Sequence, residues 1–247
     1  AQEMLERTAG RLDIPIEKVQ VCSTGVIGQN LPMDRIRGGL ERAVKDLSAT
    51  GSEHFAEAIR TTDLYRKVTR KTVRIGDKQY VIQGIAKGAG MIAPNMATML
   101  AYVFSNAPIE SGRLQPLWKR ICARTFNAMT VDGDTSTNDT AIILCSGTSQ
   151  DVLTNDELST FEAAVLEVCD ELAHLIIGDG EGATKAVRIK VTGAKTASDA
   201  KQVAGVIARS PLVKTALHGE DPNWGRIVAA VGRSGVVVDP EKIQLSF

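Results

Sequence analysis

The sequence predicts an α/β or α+β fold, in which helices pack in layers on β-strands. Helix-like and strand-like patterns alternate along all 247 residues, and short turns join several strand pairs. Short turns permit antiparallel pairing, so an all-parallel barrel is disfavoured. The sequence contains neither an internal repeat nor a clear linker, so we expect a single domain over residues 1–247.

Two helices, a strand and a hairpin are predicted in the first part of the chain. Apolar residues on one side predict a helix over Gln2–Leu12, and a strand is predicted over residues 18–23. Residues 33–47 predict a second helix, whose first turn Asp34 can cap. Residues 72–87 predict a hairpin, because a GDK turn separates TVRI from QYVIQGIA.

Strands and helices continue to alternate beyond the hairpin. Further strands are predicted over residues 99–105, 140–145, 186–192, 228–238 and 243–247. Further helices are predicted over residues 114–129, 154–177 and 198–209. The helix over residues 154–177 is acidic, amphipathic and about six turns long.

Charge and hydropathy exclude several classes of function. Lysine plus arginine and aspartate plus glutamate number 29 each, so no basic excess points to a nucleic-acid partner. No apolar run has the length of a membrane-spanning helix, and the charged N-terminal pattern is not that of a signal peptide. We therefore expect a cytoplasmic protein without a membrane or nucleic-acid partner.

The cysteines and histidines do not form a metal-binding pattern. No two cysteines show CxxC spacing, and all lie in apolar strand-like or helix-like settings, so we expect reduced, buried thiols. The histidines stand at no ligand spacing relative to them, so no zinc site is predicted. These residues are Cys22, Cys122, Cys145 and Cys169, with His54, His174 and His218.

Two loops leave structural and functional interpretations open. In GDGEGATK, residues 178–185, three glycines surround Glu181 without the order of a phosphate-binding loop. An ordinary flexible loop and a close backbone approach to a ligand both suit this composition. In VDGDTSTND, residues 131–139, the calcium-loop pattern is not met, which leaves either turn formation or a site. Trp224, in GEDPNWGR, is either a ligand wall or a buried anchor.

The residues that could act on a carbonyl group do not form a Ser-His-Asp site. The sequence has no GxSxG elbow and no histidine beside a candidate serine or cysteine. At the end of the strand over residues 18–23, the turn STG presents the Thr24 hydroxyl and the Gly25 backbone N–H together, and two such donors can stabilise an oxyanion. Ordinary turns share this pattern.

The stretch KGAGMIAPNMATML, residues 87–100, offers a different kind of nucleophile. Its ordinary interpretation is a glycine loop that leads into a strand. A threonine can also use its own α-amine as the base, once the preceding peptide bond has been cleaved. Small Ala97 before Thr98 would admit attack by the Thr98 hydroxyl on the upstream carbonyl.

Five sequence blocks together resemble one known family, the ornithine acetyltransferases, also called glutamate N-acetyltransferases of the arginine pathway. The resemblance spans nearly the whole chain, and five long blocks in this order are much more specific than any one of them. The blocks are STGVIG at 23–28, KGAGMIAPNMATML at 87–100, FNAMTVDGDTSTND at 126–139, GDGEGATK at 178–185 and GEDPNWGRI at 219–227.

The resemblance implies that the chain cuts itself between Ala97 and Thr98. An upstream subunit, residues 1–97, and a downstream subunit, residues 98–247, would result. Thr98 would be the nucleophile of both the cleavage and the later acetyl transfer, and its freed amine would be the general base. The resemblance assigns the oxyanion hole to Thr24 and Gly25.

The resemblance also implies the substrates and the residues that contact them. Acetylornithine would acetylate Thr98 and leave as ornithine, and glutamate would then accept the acetyl group. Substrate contacts map to Lys87, Glu181, Thr98 and, within the Thr61–Thr62 pair, Thr62. No cofactor or metal is implied, although some members of the family also use acetyl-CoA.

The resemblance extends to architecture and assembly. The family fold is a layered αββα sandwich, similar in layout to the self-cleaving N-terminal-nucleophile hydrolases but wound differently. The two subunits are expected to pair, as a heterotetramer. In the family, a C-terminal segment with further Asn and Ser/Thr residues of the substrate pocket follows the strand expected at residues 243–247.

Two alternative functions remain open. A self-cleaving amidase or aminopeptidase of the same architecture would use water in place of glutamate as the acyl acceptor. A non-catalytic amino-acid-binding protein would keep the fold without cleavage or turnover.

Overall fold

The chain forms two compact units in a computed structural model that describes residues 1–93, 99–146 and 152–247. The first unit is Ala1–Arg60 and the second is Thr61–Phe247. Each unit has its own secondary structure. The expectation of one domain over residues 1–247 stays a prediction.

The first unit is helical, with α1 over Gln2–Leu12, α2 over Met33–Lys45 and α3 over Ser52–Ala58. Arg37 of α2 donates two hydrogen bonds to the Glu3 carboxylate of α1, at 2.7 and 3.0 Å. Arg37 and Arg7 together lower the pKa of Glu3 to about 2. Asp34 does not cap α2 as expected, because it lies in the first turn and pairs with Arg37.

The strand predicted over residues 18–23 is wrong. A 3₁₀ turn covers Ile16–Lys18, and the chain beyond it has no regular secondary structure until α2 begins. A strand needs a neighbour to satisfy its backbone N–H and C=O groups. Among the residues that the structure describes, all paired strands belong to the second unit.

The second unit is built on a four-stranded sheet in the order β1-β2-β3-β4. These strands are Lys67–Ile75, Lys78–Lys87, Leu100–Ser105 and Thr140–Cys145. The first three pair antiparallel, and β4 runs parallel to β3. The predicted hairpin is confirmed, with Gly76 in the left-handed region at its turn (φ 59°).

Two helices cover one face of this sheet, α4 over Ser111–Arg124 and α5 over Asn155–Gly178. Helix α5 begins with a capping box, in which Thr154 and Glu157 satisfy each other's backbone N–H groups. Gly84 of β2 lets α5 come close, because a Cβ at this position would lie 2.6 Å from Cδ1 of Leu172. The core between sheet and helices includes Ile82, Val103, Leu117, Ile121, Phe161, Val165, Leu172 and Ile176.

Three helices at the C-terminal end surround a smaller apolar cluster. They are α6 over Ala197–Ala208, α7 over Pro211–His218 and α8 over Trp224–Gly232. The cluster is formed by Val203, Ile207, Val213, Ala230 and Val231.

The three strands predicted in the C-terminal region are wrong. Part of 228–238 is helical, because the Asn223 side chain caps α8 and apolar residues recur there at helical spacing. Residues 186–192 and 243–247 are irregular. Their apolar side chains, including Ile189, Val191 and Ile243, pack on the smaller cluster without pairing into a sheet.

The mixed α/β class is confirmed, and the αββα sandwich stays a prediction. The described ranges contain one sheet, with helices on one of its faces. Within those ranges, no helix combines the length and the apolar character that crossing a bilayer demands.

All four cysteines are free, as expected, but burial is confirmed for only two of them. Cys122 and Cys169 are buried in the core, and Cys22 and Cys145 are half-buried. Burial raises the pKa of Cys122 to about 12 and that of Cys145 to about 11. The core thiols therefore stay protonated and unreactive near neutral pH.

We expect Gly84→Ala to destabilise the second unit by about 1–3 kcal/mol, because the added methyl group overlaps Leu172 and Val168 of α5. Shortening the opposing side chain in Gly84→Ala/Leu172→Ala should give a coupling energy that recovers part of the combined loss. Urea unfolding measures both. Gly112→Ala is the matched control, because nothing lies within 4 Å of its added Cβ. Equal stability of Gly84→Ala and wild type would contradict the close approach.

Candidate functional site

Three residues assigned by the resemblance come from separate segments of the second unit. Thr62 lies just before β1, Lys87 ends β2 and Glu181 follows α5. The Thr62 hydroxyl donates a 2.7 Å hydrogen bond to Oε1 of Glu181. Of the Thr61–Thr62 pair, Thr62 is thus the one whose side chain contacts Glu181.

The other assigned residues lie elsewhere. Thr24 and Gly25 belong to the first unit. Ala97 and Thr98 lie outside the described residues.

The loop that carries Glu181 is fixed to the glycine segment after β2. The Glu181 backbone N–H donates to the Ala89 carbonyl oxygen at 2.8 Å. A Cβ on Gly90 would lie 2.9 Å from the Glu181 carboxyl carbon, so Gly90 leaves the space that the carboxylate occupies. The two glycine-rich blocks of the sequence are therefore packed against each other, with a carboxylate between them.

Lys87 is fully buried at the end of β2. Burial lowers the pKa of its ammonium group, and the nearby Asp63 and Asp139 carboxylates oppose that effect. Lys87 pairs with Leu100 in the antiparallel register of β2 and β3. Lys87 therefore lies next to Leu100, the first residue of β3, which stands two positions after Thr98 in the chain.

Asp139 is a residue that the sequence reasoning did not single out. Its Oδ1 accepts a hydrogen bond of 3.0 Å from the Met99 backbone N–H, which belongs to the peptide bond that follows Thr98. Its Oδ2 is buried and has no hydrogen-bond partner within the described part of the chain. Burial raises the pKa of Asp139 to about 6, although the Met99 N–H and Lys87 both act in the opposite direction.

A buried ion-pair network was also missed. The Lys67 ammonium lies 2.6 Å from Oδ1 of Asp63 and 2.5 Å from Oδ2 of Asp179, and all three side chains are fully buried. The Asp63 carboxylate also accepts the Gly88 backbone N–H at 2.6 Å. The two-residue alternation of β1 puts Lys67 on the same face as Val73 and Ile75, a signal that was available in the sequence, but no local pattern indicates its two partners.

The loop VDGDTSTND forms turns and fixes the backbone. Asp132 accepts the N–H groups of Met91 and Ile92 at 2.6 and 2.9 Å, and so holds Met91 in the left-handed region (φ 56°). It also accepts the Asp134 N–H at 3.0 Å, which closes its own turn. Over the described ranges, no group of three His, Cys, Asp or Glu residues could hold a metal ion.

Glu181 also lines a cleft of about 1450 Å³ between the loops and the C-terminal helices. His218 lies on this cleft, and its Nδ1 is 3.0 Å from the Thr184 hydroxyl. Trp224 is 68% exposed, so it is not a buried anchor, and it does not line the cleft.

In the first unit, the Thr24 hydroxyl oxygen is buried without a hydrogen-bond partner among the described residues. Leaving such a group unsatisfied costs about 1–3 kcal/mol. The neighbouring Gly25 is exposed.

Comparison with known proteins supports the resemblance over the entire chain. The model of the ArgJ family matches residues 1–247. The arginine biosynthesis bifunctional protein ArgJ of Geobacter sulfurreducens is 49% identical over 250 residues, which cover 100% of this chain and 64% of the relative. The protein of the same name from Thermotoga neapolitana is 46% identical, with 100% and 63% covered. The chain thus spans just under two thirds of these relatives' lengths.

A solved structure agrees with part of the fold. The crystal structure of arginine biosynthesis bifunctional protein ArgJ from Bacillus halodurans superimposes with a TM-score of 0.52 at 45% sequence identity. The match covers 54% of this chain and 64% of that one.

We expect Asp139→Asn to change how stability depends on pH. The folded-state pKa of about 6 lies above the ordinary value of 3.8, so folding favours the protonated acid. This contribution is fully present below pH about 4 and is lost as the pH rises through about 6. The unfolding free energy of Asp139→Asn minus that of wild type should therefore increase between those pH values and then level off. Urea unfolding from pH 4 to 8 measures it.

Glu157→Gln is a control of opposite sign. Hydrogen bonds from Thr154 lower the pKa of Glu157 from 4.5, so its contribution is lost only as the pH falls below that value, and the Glu157→Gln difference should be nearly flat from about pH 5 to 8. A flat difference for Asp139→Asn over the same range would mean that burial does not raise the pKa of Asp139.

Proposed function

Because this chain belongs to the ArgJ family, we propose that it is the nucleophile-bearing part of an acetyltransferase of arginine biosynthesis. The enzyme transfers the acetyl group of acetylornithine to glutamate through an acetyl-Thr98 intermediate. The observation that supports this most directly is the convergence of Thr62 and Glu181 with the segment after Lys87. Thr62 and Glu181 offer a hydroxyl and a carboxylate, and Lys87, at the start of that segment, carries the ammonium that would complete a site for a small zwitterionic substrate.

The first step in this proposal is self-cleavage. The Thr98 Oγ attacks the Ala97 carbonyl carbon, the peptide C–N bond breaks, and an ester joins Ala97 to Thr98. Water then hydrolyses the ester, which releases the Ala97 carboxylate and leaves Thr98 with a free α-amine. That amine is the general base for the later steps.

Acetyl transfer follows as two half-reactions. The Thr98 hydroxyl, deprotonated by its own amine, attacks the acetyl carbonyl of acetylornithine, and ornithine leaves after its nitrogen takes up the proton. The glutamate amine then attacks acetyl-Thr98 and regenerates the hydroxyl. The Thr24 hydroxyl and the Gly25 N–H stabilise the oxyanion in each half-reaction, and removal of one such donor typically costs about 10²–10³-fold in rate.

The charges of the site suit the substrates. A substrate carboxylate near Lys87 would favour the charged ammonium and so offset the effect of burial on its pKa. Glu181 supplies the opposite charge for a substrate ammonium, and its contact with Thr62 orients the carboxylate. The acetyl group is carried by the enzyme, so the reaction requires no cofactor or metal.

Assembly and location form part of the same proposal. The upstream part, residues 1–97, and the downstream part, residues 98–247, pair after cleavage, and two such pairs form a heterotetramer in the cytoplasm. The relatives are named bifunctional. That name implies a second activity, and the use of acetyl-CoA as a second acetyl donor would supply it.

We expect wild type to yield a fragment that begins at Thr98, and Thr98→Ala to remain intact and to lose transfer altogether. Intact-protein mass spectrometry detects the cleavage. Incubation of acetylornithine with and without glutamate measures the transfer. Thr98→Ser, which keeps a hydroxyl and an amine, should still cleave.

The same measurements separate the two alternatives. Release of acetate as fast without glutamate as with it would identify an amidase instead. An uncut wild-type chain that binds its ligands as well as Thr98→Ala does would identify a binding protein.

We expect Gly90→Ala to raise the KM for acetylornithine by about tenfold, because the added methyl group displaces the Glu181 carboxylate and weakens one charged contact. Stability should change little, since the displaced atoms are the end of a flexible side chain. Steady-state kinetics on fully cleaved protein measures this, with Gly112→Ala as the control. An unchanged KM would argue against Glu181 as a substrate contact.

A further inference from the structure

One buried cation holds together the segments that carry the proposed substrate contacts. The Lys67 ammonium lies between the carboxylates of Asp63 and Asp179, at 2.6 and 2.5 Å. The Tyr65 ring covers the ammonium, with its centroid 4.9 Å away. Burying three charged groups is costly, and well-packed apolar residues often stabilise a fold as well or better. Stability alone therefore gives no reason for this network.

Both carboxylates bind backbone groups next to the assigned residues. Asp63 accepts the N–H of Thr61, at 3.1 Å, and of Gly88, at 2.6 Å. Thr61 precedes Thr62, and Gly88 follows Lys87. Asp63 thus ties these two segments to each other.

Asp179 connects the third segment. Its carboxylate accepts the Leu64 N–H at 3.0 Å, and it stands two residues before Glu181. Its other oxygen is buried without a hydrogen-bond partner among the described residues. Asp179 thus joins the Glu181 loop to the segment that contains Thr62 in two ways, directly through the Leu64 N–H and through the Lys67 ammonium that it shares with Asp63.

The charges of the network also involve Lys87. The network carries two negative groups and one positive group, and the Asp63 carboxylate attracts the Lys87 ammonium while Lys67 repels it. Asp139 attracts the same ammonium, so Lys87 offsets the charge of the network and of Asp139 together. Removal of Lys67 would leave a surplus buried carboxylate that competes with a substrate carboxylate for Lys87.

We propose that Lys67, together with Asp63 and Asp179, is a positioning group that sets the arrangement of Thr62, Lys87 and Glu181 for recognition of the substrate. This inference rests on the proposed function, since it assigns a role to residues that act through that site. None of the three residues is required to touch the substrate. Their effect should fall on binding and much less on the chemical step.

The test compares Lys67→Met with Lys71→Met in the cleaved enzyme. Lys71 is a matched control because it lies on the same strand and face, and its ion pair with Glu167 is away from the site. We expect Lys67→Met to raise the KM for acetylornithine by about tenfold or more, with kcat within about threefold of wild type. Lys71→Met should keep both parameters, and Lys67→Arg should recover much of the lost affinity.

A second variant tests the same proposal if Lys67→Met does not fold. Asp179→Asn keeps an oxygen for the Leu64 N–H and removes one charge that holds Lys67. The same rise in KM at nearly constant kcat would support the proposal. Wild-type KM in a folded Asp179→Asn or Lys67→Met variant, or a loss confined to kcat, would overturn it. Failure of the wild-type enzyme to transfer acetyl groups would instead contradict the proposed function.

Discussion

The second unit depends on one interaction above all, the contact of the Lys67 ammonium with two buried carboxylates. Asp63 precedes the sheet, Lys67 begins it, and Asp179 follows the helix that covers it. A single charge thus lies where the beginning of the sheet and the end of its longest helix meet. Because removal of one partner from a buried ion pair is strongly destabilising, this meeting point depends on all three side chains.

The same elements contribute residues to both the apolar core and the polar site. Along β2 the contacts are with α5, for example between Gly84 and Leu172, and just beyond the C-terminal end of the strand they are with charged loops. A glycine allows a close approach in each region: Gly84 faces the helix and Gly90 faces Glu181. The absence of a side chain is therefore a specific requirement at these two positions.

Local patterns predicted the hairpin, strand Thr140–Cys145 and the long helix, because each has a clear period and a turn or cap at its end. They failed over residues 228–238, where apolar residues suited a strand as well as a helix and the Asn223 cap was decisive. The family resemblance pointed to Glu181 and, within the Thr61–Thr62 pair, to Thr62, and the structure places these two residues in contact. They did not point to Lys67, whose partners are 4 and 112 positions away, a relation that no local pattern contains.

Helix α5 and strand β2 run in the same direction from the hairpin turn to the site. From the contact between Leu172 and Gly84, seven helical residues lead to Asp179 and three strand residues lead to Lys87, about 10 Å in each case. The two paths have nearly equal length, although the rise per residue is about 1.5 Å in a helix and about 3.3 Å in a strand. An insertion that keeps the side chains on their faces needs about two residues in β2, about 7 Å, and about four residues in α5, about 6 Å, so such insertions would keep the charged groups aligned only as a pair. We therefore expect that insertions or deletions in β2 and α5 are tolerated only when both elements change together.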